Sequence, residues 1–387
     1  MIKYSYLYML AGLLVVSFFI GKSPVIKFVA IDNYFTNLSF TLFYFFSSIF
    51  ILLFFLYQKK FIIKKEALLL PGVLILLSFS LIHSLDKEEA LFFYFAIFLL
   101  AIILILLATM DHIRYKIFIE YFVKFKVFLS LLIIILALTK LMLLGIESFE
   151  NNRLSIFGGP NIFIRFVFFL VIISMIFIEN KFIKLISIFI LSYTLFLSGS
   201  KAAFVILIIY LFIENKKHSF FILVFILLLW QTVNLDILMN LIENKTILRT
   251  LVVSDANNMS GSTTGRLDNF IYTWDNFQSN PLFGIGLSSY PVLNNFMQPH
   301  PHNIILELIN YGLIYAFTFI CSIFYLFYKS KILQRREDKY EETMRQTSLY
   351  FTIFIMFSGD LFYSKDFYLS LFLFYILIEK GKKQYVP

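Results

Sequence analysis

The sequence predicts an all-α integral membrane protein with about twelve transmembrane helices and one long external, periplasmic-side loop containing amphipathic helices. Three observations predict it. Hydrophobic residues make up 60% of the 387 and charged residues only 15%, with 51 Phe among them, and the mean hydropathy is +0.84, far from the balance of a soluble protein. The apolar residues collect into runs long enough to span or nearly span a bilayer. One connection between runs, residues 237–302, is far longer than the rest.

In chain order the runs fall at 4–20, 35–57, 67–85, 90–109, 127–146, 162–178, 185–199, 202–213, 219–236, 303–328, 347–364 and 367–378. The first lacks a small-x-small cleavage pattern and reads as a retained helix. Of the 33 Lys and Arg residues, 22 fall in the alternate connections on the side of the N-terminus, a bias that places both termini in the cytoplasm. The net charge of +9 therefore reports orientation and not a nucleic-acid partner. Residues 111–126, "DHIRYKIFIEYFVKFK", alternate basic and aromatic side chains and read as a segment resting on the inner membrane surface before the fifth span. The single cysteine, Cys321, excludes disulfides and thiolate metal sites. Three parts follow: N-terminal spans over 1–146, a central part over 147–328 that includes the long loop 237–302, and a cytoplasmic loop with C-terminal spans over 329–387.

The long loop begins with "ILMNLIENKTILRTLVV" at helical spacing and continues through "SDANNMSGSTTG", a flexible link. Next comes "RLDNFIYTWDNFQSNP", where Leu267, Phe270, Ile271, Trp274 and Phe277 recur at intervals of three and four. That spacing predicts an amphipathic helix resting on the membrane or on neighbouring spans and stopped by Pro281. The turn "NPLFGIGLSSYP" leads to "MQPHPHNIILELINYGLIY", with His300 and His302 at the mouth of a span in a chain of five histidines.

Ionisable residues inside spans are costly and mark function by default. His83, Lys140, Arg165, Lys201, Glu307 and Asp360 all fall near external ends, and Arg153 and Arg266 lie in external loops. Arg153, Arg165, Lys201 and Arg266 thus gather on one side of the bilayer, where an anion must offset them. A phosphate or diphosphate head group is the natural one. Plainer readings stand beside this: Lys140 and Arg165 as snorkelling cations, Lys201 as the marker of a hairpin, His300 as a helix-entry residue, and His302 or Asn303 as a cap.

The ordered series "NNRLSIFGGPN", "LSGSKAAF", "GRLDNFIYTWDNFQSNPLFGIGLSSY" and "PHNIILELINYGLIY" resembles the O-antigen ligase and O-antigen polymerase superfamily over residues 147–318. The resemblance implies a glycosyltransferase at the outer face of the bacterial inner membrane whose donor is an undecaprenyl-diphosphate-linked oligosaccharide. It implies functional roles for Arg153, Arg266 and His302. Lys201 departs from the family's pattern, in which arginine is common, and lacks the bidentate fork.

The chemistry of the residues agrees. Transfer from a diphosphate builds negative charge on the leaving group, which fixed cations stabilise, with Arg153 and Arg266 first and Arg165 and Lys201 in support. His302 suits the acceptor hydroxyl, with His300 and Asn303 binding substrate beside it. No metal or other cofactor is expected, since no Asp-rich or Cys/His cluster is present. Expected partners are the lipid-linked oligosaccharide, membrane lipids and a polysaccharide chain-length regulator, without nucleic acid. A polymerase acting on O-antigen, capsule or exopolysaccharide is the first reading. The alternatives are a ligase transferring glycan to lipid A-core and a transporter or flippase, which would bind at the midplane on repeated halves.

Overall fold

Uninterrupted Leu, Ile and Phe runs leave each backbone N–H and C=O to be satisfied within its own segment, and the helix is the form that does so in a lipid-like surrounding. The computed structural model describes residues 4–20, 36–58, 68–78, 83–85, 87–145, 154, 160–198, 201–214, 271, 273–275, 277–286, 311–357 and 365–382. Among these residues no strand occurs, and besides helical residues at 271, 273–275 and 277–279 the helices are α1 (Ser5–Ile20), α2 (Thr36–Tyr57), α3 (Leu69–Ser78), α4 (Lys87–Thr109), α5 (His112–Leu144), α6 (Pro160–Phe177), α7 (Lys181–Leu197), α8 (Lys201–Glu214), α9 (Leu313–Ser330), α10 (Lys339–Phe357) and α11 (Lys365–Lys382). Each overlaps an expected apolar run, and α5 and α10 begin well before theirs. The run at 219–236, residues 303–310 of the tenth run, and the loop segments 237–253 and 254–265 lie outside the described residues.

Local chemistry sets the helix ends. Asp111 Oδ1 accepts the Arg114 N–H at the start of α5, and Asn180 Oδ1 accepts the N–H groups of Phe182 and Ile183 at the start of α7, each satisfying orphan donors. Pro160 opens α6, where its missing N–H costs nothing. Lys331 closes α9 in the left-handed region, at φ 50°. There the N–H groups of Lys331 and Ile332 reach Tyr328 O and Phe327 O.

The chain forms two compact units, one of Met1–Lys126 with Ser260–Pro387 and one of Val127–Met259. In the first, α1 packs on α2, α2 and α3 on α4, α9 on α3 and α11, and α10 on α11. Its centre is α11, whose residues from Tyr368 to Ile378 are buried on every face. Polar atoms join distant segments there: Tyr115 Oη donates to Leu373 O at 2.9 Å, and Lys380 Nζ donates to Ala108 O at 2.8 Å and to Met110 O, serving the last carbonyls of α4. In the second unit α6, α7 and α8 pack on one another, with Phe168 edge-on to Tyr210 at 5.3 Å.

Residues 112–126 correct an expectation. They are the first half of the continuous helix α5 and do not form a separate surface segment, because Tyr115, Phe118, Ile119, Phe122 and Val123 are buried within the protein. The spacing that suggested an amphipathic surface helix in fact marks a protein-facing stripe, a pattern the two situations share.

The surface tells the other half. Phe182, Ile183, Phe189, Ile190 and Tyr193 on α7, Phe128, Ile135 and Met142 on α5, and Phe317 and Phe324 on α9 all stand exposed. Apolar faces this extensive are not tolerated in water and are normal against lipid. α5 and α9 are long and apolar enough to cross a membrane, and shorter apolar helices run over Ser5–Ser17, Leu42–Tyr57, Tyr94–Thr109, Phe163–Phe177 and Val205–Glu214.

Candidate functional site

Two of the three packed helices in the second unit, α6 and α8, carry the candidate cations that the structure describes. α6 and α7 are joined by residues 178–180, and α7 and α8 by residues 198–200. Connections this short between packed helices make hairpins, so the start of α6, the end of α7 and the start of α8 share one end of the group. Arg165 lies about one and a half turns into α6. It is 6% exposed, flanked by the buried Phe163, Ile164, Phe166 and Val167, and so faces the interior instead of snorkelling outward. Burial of a guanidinium among such neighbours is expensive unless anionic or hydrogen-bonding groups meet it.

Lys201 is the first residue of α8 and stands at the α7–α8 hairpin, as its plainer reading anticipated. At the same end, the Leu154 N–H donates to Leu197 O at 3.0 Å, and Leu154 is fully buried. Ser198, also buried, donates to Leu195 O at 2.5 Å and tightens the last turn of α7. The backbone next to Arg153 is thereby pinned four residues from Lys201. Arg153 itself, with Arg266, His300, His302 and Asn303, lies outside the described residues.

In the first unit the structure describes the ground on either side of the histidine segment. Residues 271, 273–275 and 277–279 are helical, and a turn at Pro281–Phe283 ends that stretch, where Pro281 was expected to stop it. Thr273 is buried, whereas Ile271 and Trp274 are exposed. Of the expected apolar stripe, Ile271 and Trp274 thus stand exposed, as side chains resting on a membrane would. The turn closes through Gly284 N–H to Asn280 O at 2.8 Å. Its carbonyls then serve α9: the Leu313 N–H donates to Pro281 O at 2.9 Å and the Ile314 N–H to Leu282 O at 3.3 Å, so orphan donors of the helix start are satisfied from across the loop.

The sequence reading missed what this turn rests on. Phe283 packs against the ring of His83, with centroids 5.6 Å apart, and Gly286 lies against the backbone of His83 and Ser84. The two glycine positions were visible as "FGIG" and "NYG". The partner of Gly286, a corner between α3 and α4, carries no local signal.

Apolar helices with exposed apolar faces and no strand among the described residues define an α-helical membrane protein. Residues 186–320, from α7 into α9 and including Lys201, Arg266, His300, His302 and Asn303, match the family model described as O-antigen ligase. This match supports the resemblance to the O-antigen ligase and polymerase superfamily that the motifs carry. No curated protein matches it.

Proposed function

We propose that this protein is a polysaccharide polymerase that transfers an undecaprenyl-diphosphate-linked glycan to the sugar hydroxyl of another lipid-linked repeat unit, at the outer face of a bacterial inner membrane. Ligase- or polymerase-type glycosyl transfer fits the family match, and that match carries the reading. In the reaction the acceptor oxygen bonds to the anomeric carbon while the bond from that carbon to the diphosphate oxygen breaks. The acceptor proton passes to His302, since an imidazole titrates near neutral pH. Arg153 and Arg266 stabilise the charge that accumulates on the departing undecaprenyl diphosphate, each worth about 3–4 kcal/mol in a dry site.

Arg165 and Lys201 add positive charge at the end of α6–α8 where Leu154 is anchored, and His300 and Asn303 hold the acceptor. No metal or other cofactor enters this scheme. The proposed partners are the lipid-linked donor and acceptor, membrane lipids and a chain-length regulator.

The family model's own description favours a second reading, a ligase that transfers glycan to lipid A-core. Lipopolysaccharide from a deletion strain separates the two: loss of a polymerase leaves core bearing one repeat, and loss of a ligase leaves bare core with lipid-linked polymer accumulating. For the polymerase itself, His302→Ala and Arg266→Ala are each expected to abolish polymer at normal membrane levels. Full-length polymer from either variant removes that residue from the mechanism.

A further inference from the structure

Residues 286 and 311 bracket the chain that carries both candidate histidines, and the structure describes what holds each bracket. On one side, Gly286 adopts φ +89°, and a Cβ there would sit 2.7 Å from His83 C and 2.8 Å from His83 O and Ser84 N. On the other, Gly312 adopts φ +88°, and a Cβ would sit 2.6 Å from Gly284 N and closer still to Leu282 O. All the obstructing atoms are backbone and cannot swing aside as a flexible side chain does. Both positions also need the left-handed region that favours glycine.

The turn 280–286 is therefore held from two directions at once, by the α3–α4 corner at His83–Ser84 and by the start of α9. The backbone bonds from Leu313 to Pro281 and from Ile314 to Leu282 close the second contact. The chain leaves this junction at residue 286 and returns to it at residue 311.

We propose that this junction is a positioning clamp for the transfer reaction: His83–Ser84, the turn 280–286 and Gly312 hold the two ends of the histidine-bearing segment at a set separation. The proposal rests on the polymerase reading above and extends it to the N-terminal spans, which lie outside the family match. The clamp residues touch no substrate and act through His302, the group that takes the acceptor proton. A displacement of about 1 Å at a reacting group is enough to cost a factor of about 100 in rate, so a clamp built on backbone contacts is felt as turnover and not as affinity.

The test uses the full-length protein with synthetic undecaprenyl-diphosphate-linked repeats. Gly286→Ala and Gly312→Ala are expected to lower kcat by about 100-fold and leave KM near that of the unsubstituted protein. Gly72→Ala, where nothing lies within 4 Å of the added carbon, leaves both constants in place. A parallel readout needs no substrate: His83→Cys with Phe283→Cys, in a Cys321→Ser background, is expected to cross-link with a short thiol reagent and to lose that cross-link when Gly312→Ala is added.

Unchanged kcat in either glycine variant, a rise in KM in place of the fall in kcat, or a cross-link indifferent to Gly312→Ala overturns the clamp. If the alanine variants do not accumulate in membranes, the cross-linked double-cysteine protein decides: retained turnover supports a junction that is already closed, and readily formed but inactive protein overturns it. Absence of transfer by the unsubstituted protein sinks the polymerase reading instead, and the cross-link result still judges the clamp.

Discussion

Helix α9 is fastened at its two ends by opposite means. Its C-terminal end runs into a turn knit by charged side chains. Arg345, 2% exposed, donates from Nε and Nη2 to Glu342 at 2.8 and 2.6 Å and from Nη1 to Ile332 O at 3.1 Å. Glu342 also accepts the Arg336 N–H at 2.8 Å and Gln346 Nε2 at 2.8 Å. Asp338 caps α10 by accepting the N–H groups of Tyr340 and Glu341 and pairs with Lys116 of α5 at 2.7 Å.

The N-terminal end has no such charges in its fastening. Backbone carbonyls of Pro281 and Leu282 and the bare Cα of Gly312 make the contact. One end is broken by taking a side chain away, and the other by adding a single carbon.

The largest effect expected is at the charged end. Arg345→Met strands the Glu342 carboxylate in a buried place, a loss of about 3–5 kcal/mol, readable as a lowered melting temperature in detergent. Adding Glu342→Leu is expected to recover most of it, since an apolar pair of similar size replaces a buried ion pair at little cost. Both variants should keep the 83–283 cross-link, and its loss would show that the two ends are not independently fastened. Lys380→Met comes next, at about 1–3 kcal/mol, because it leaves the carbonyls of Ala108 and Met110 without their donor.

Acid sharpens the same contrast. Burial alone would raise the Glu342 carboxyl, but hydrogen bonds from Arg345, the Arg336 N–H and Gln346, with the Arg345 charge, outweigh it and hold the group below its ordinary 4.5. Burial likewise pushes the Asp338 carboxyl up, but hydrogen bonds from Lys116 and the Glu341 and Tyr340 N–H groups, with the Lys116 charge, outweigh it and hold the group below its ordinary 3.8. Carboxyls held low contribute stability that is fully present above their unfolded values and is lost as pH falls through the folded ones.

The melting temperature is thus expected to hold steady down to about pH 4.5 and to fall below it, with a shallower fall in Glu342→Gln. The glycine junction has no titrating group in its backbone contacts. Asp338→Ala should cost about 1 kcal/mol through the lost cap. Smallest is Gly72→Ala inside α3, expected to stabilise by about 0.5–1 kcal/mol, the reverse of the same substitution at Gly312.

The sequence by itself determined which apolar runs become the described helices and where several of them stop. Apolar runs must satisfy their own backbone in lipid, and Asn180, Pro160 and Pro281 act on residues within one turn of themselves. Those causes are local, so the order of residues carries them.

What lay beyond sequence was which face each helix turns inward and what it meets there. The inward turn of Arg165, the burial of one stripe of residues 112–126, the anchoring of Leu154 to Leu197 and the grip of His83 on the 280–286 turn were decided by the tertiary structure. Each joins segments far apart in the chain, and an apolar stripe facing protein carries the same periodicity as one facing lipid. Only packing tells them apart.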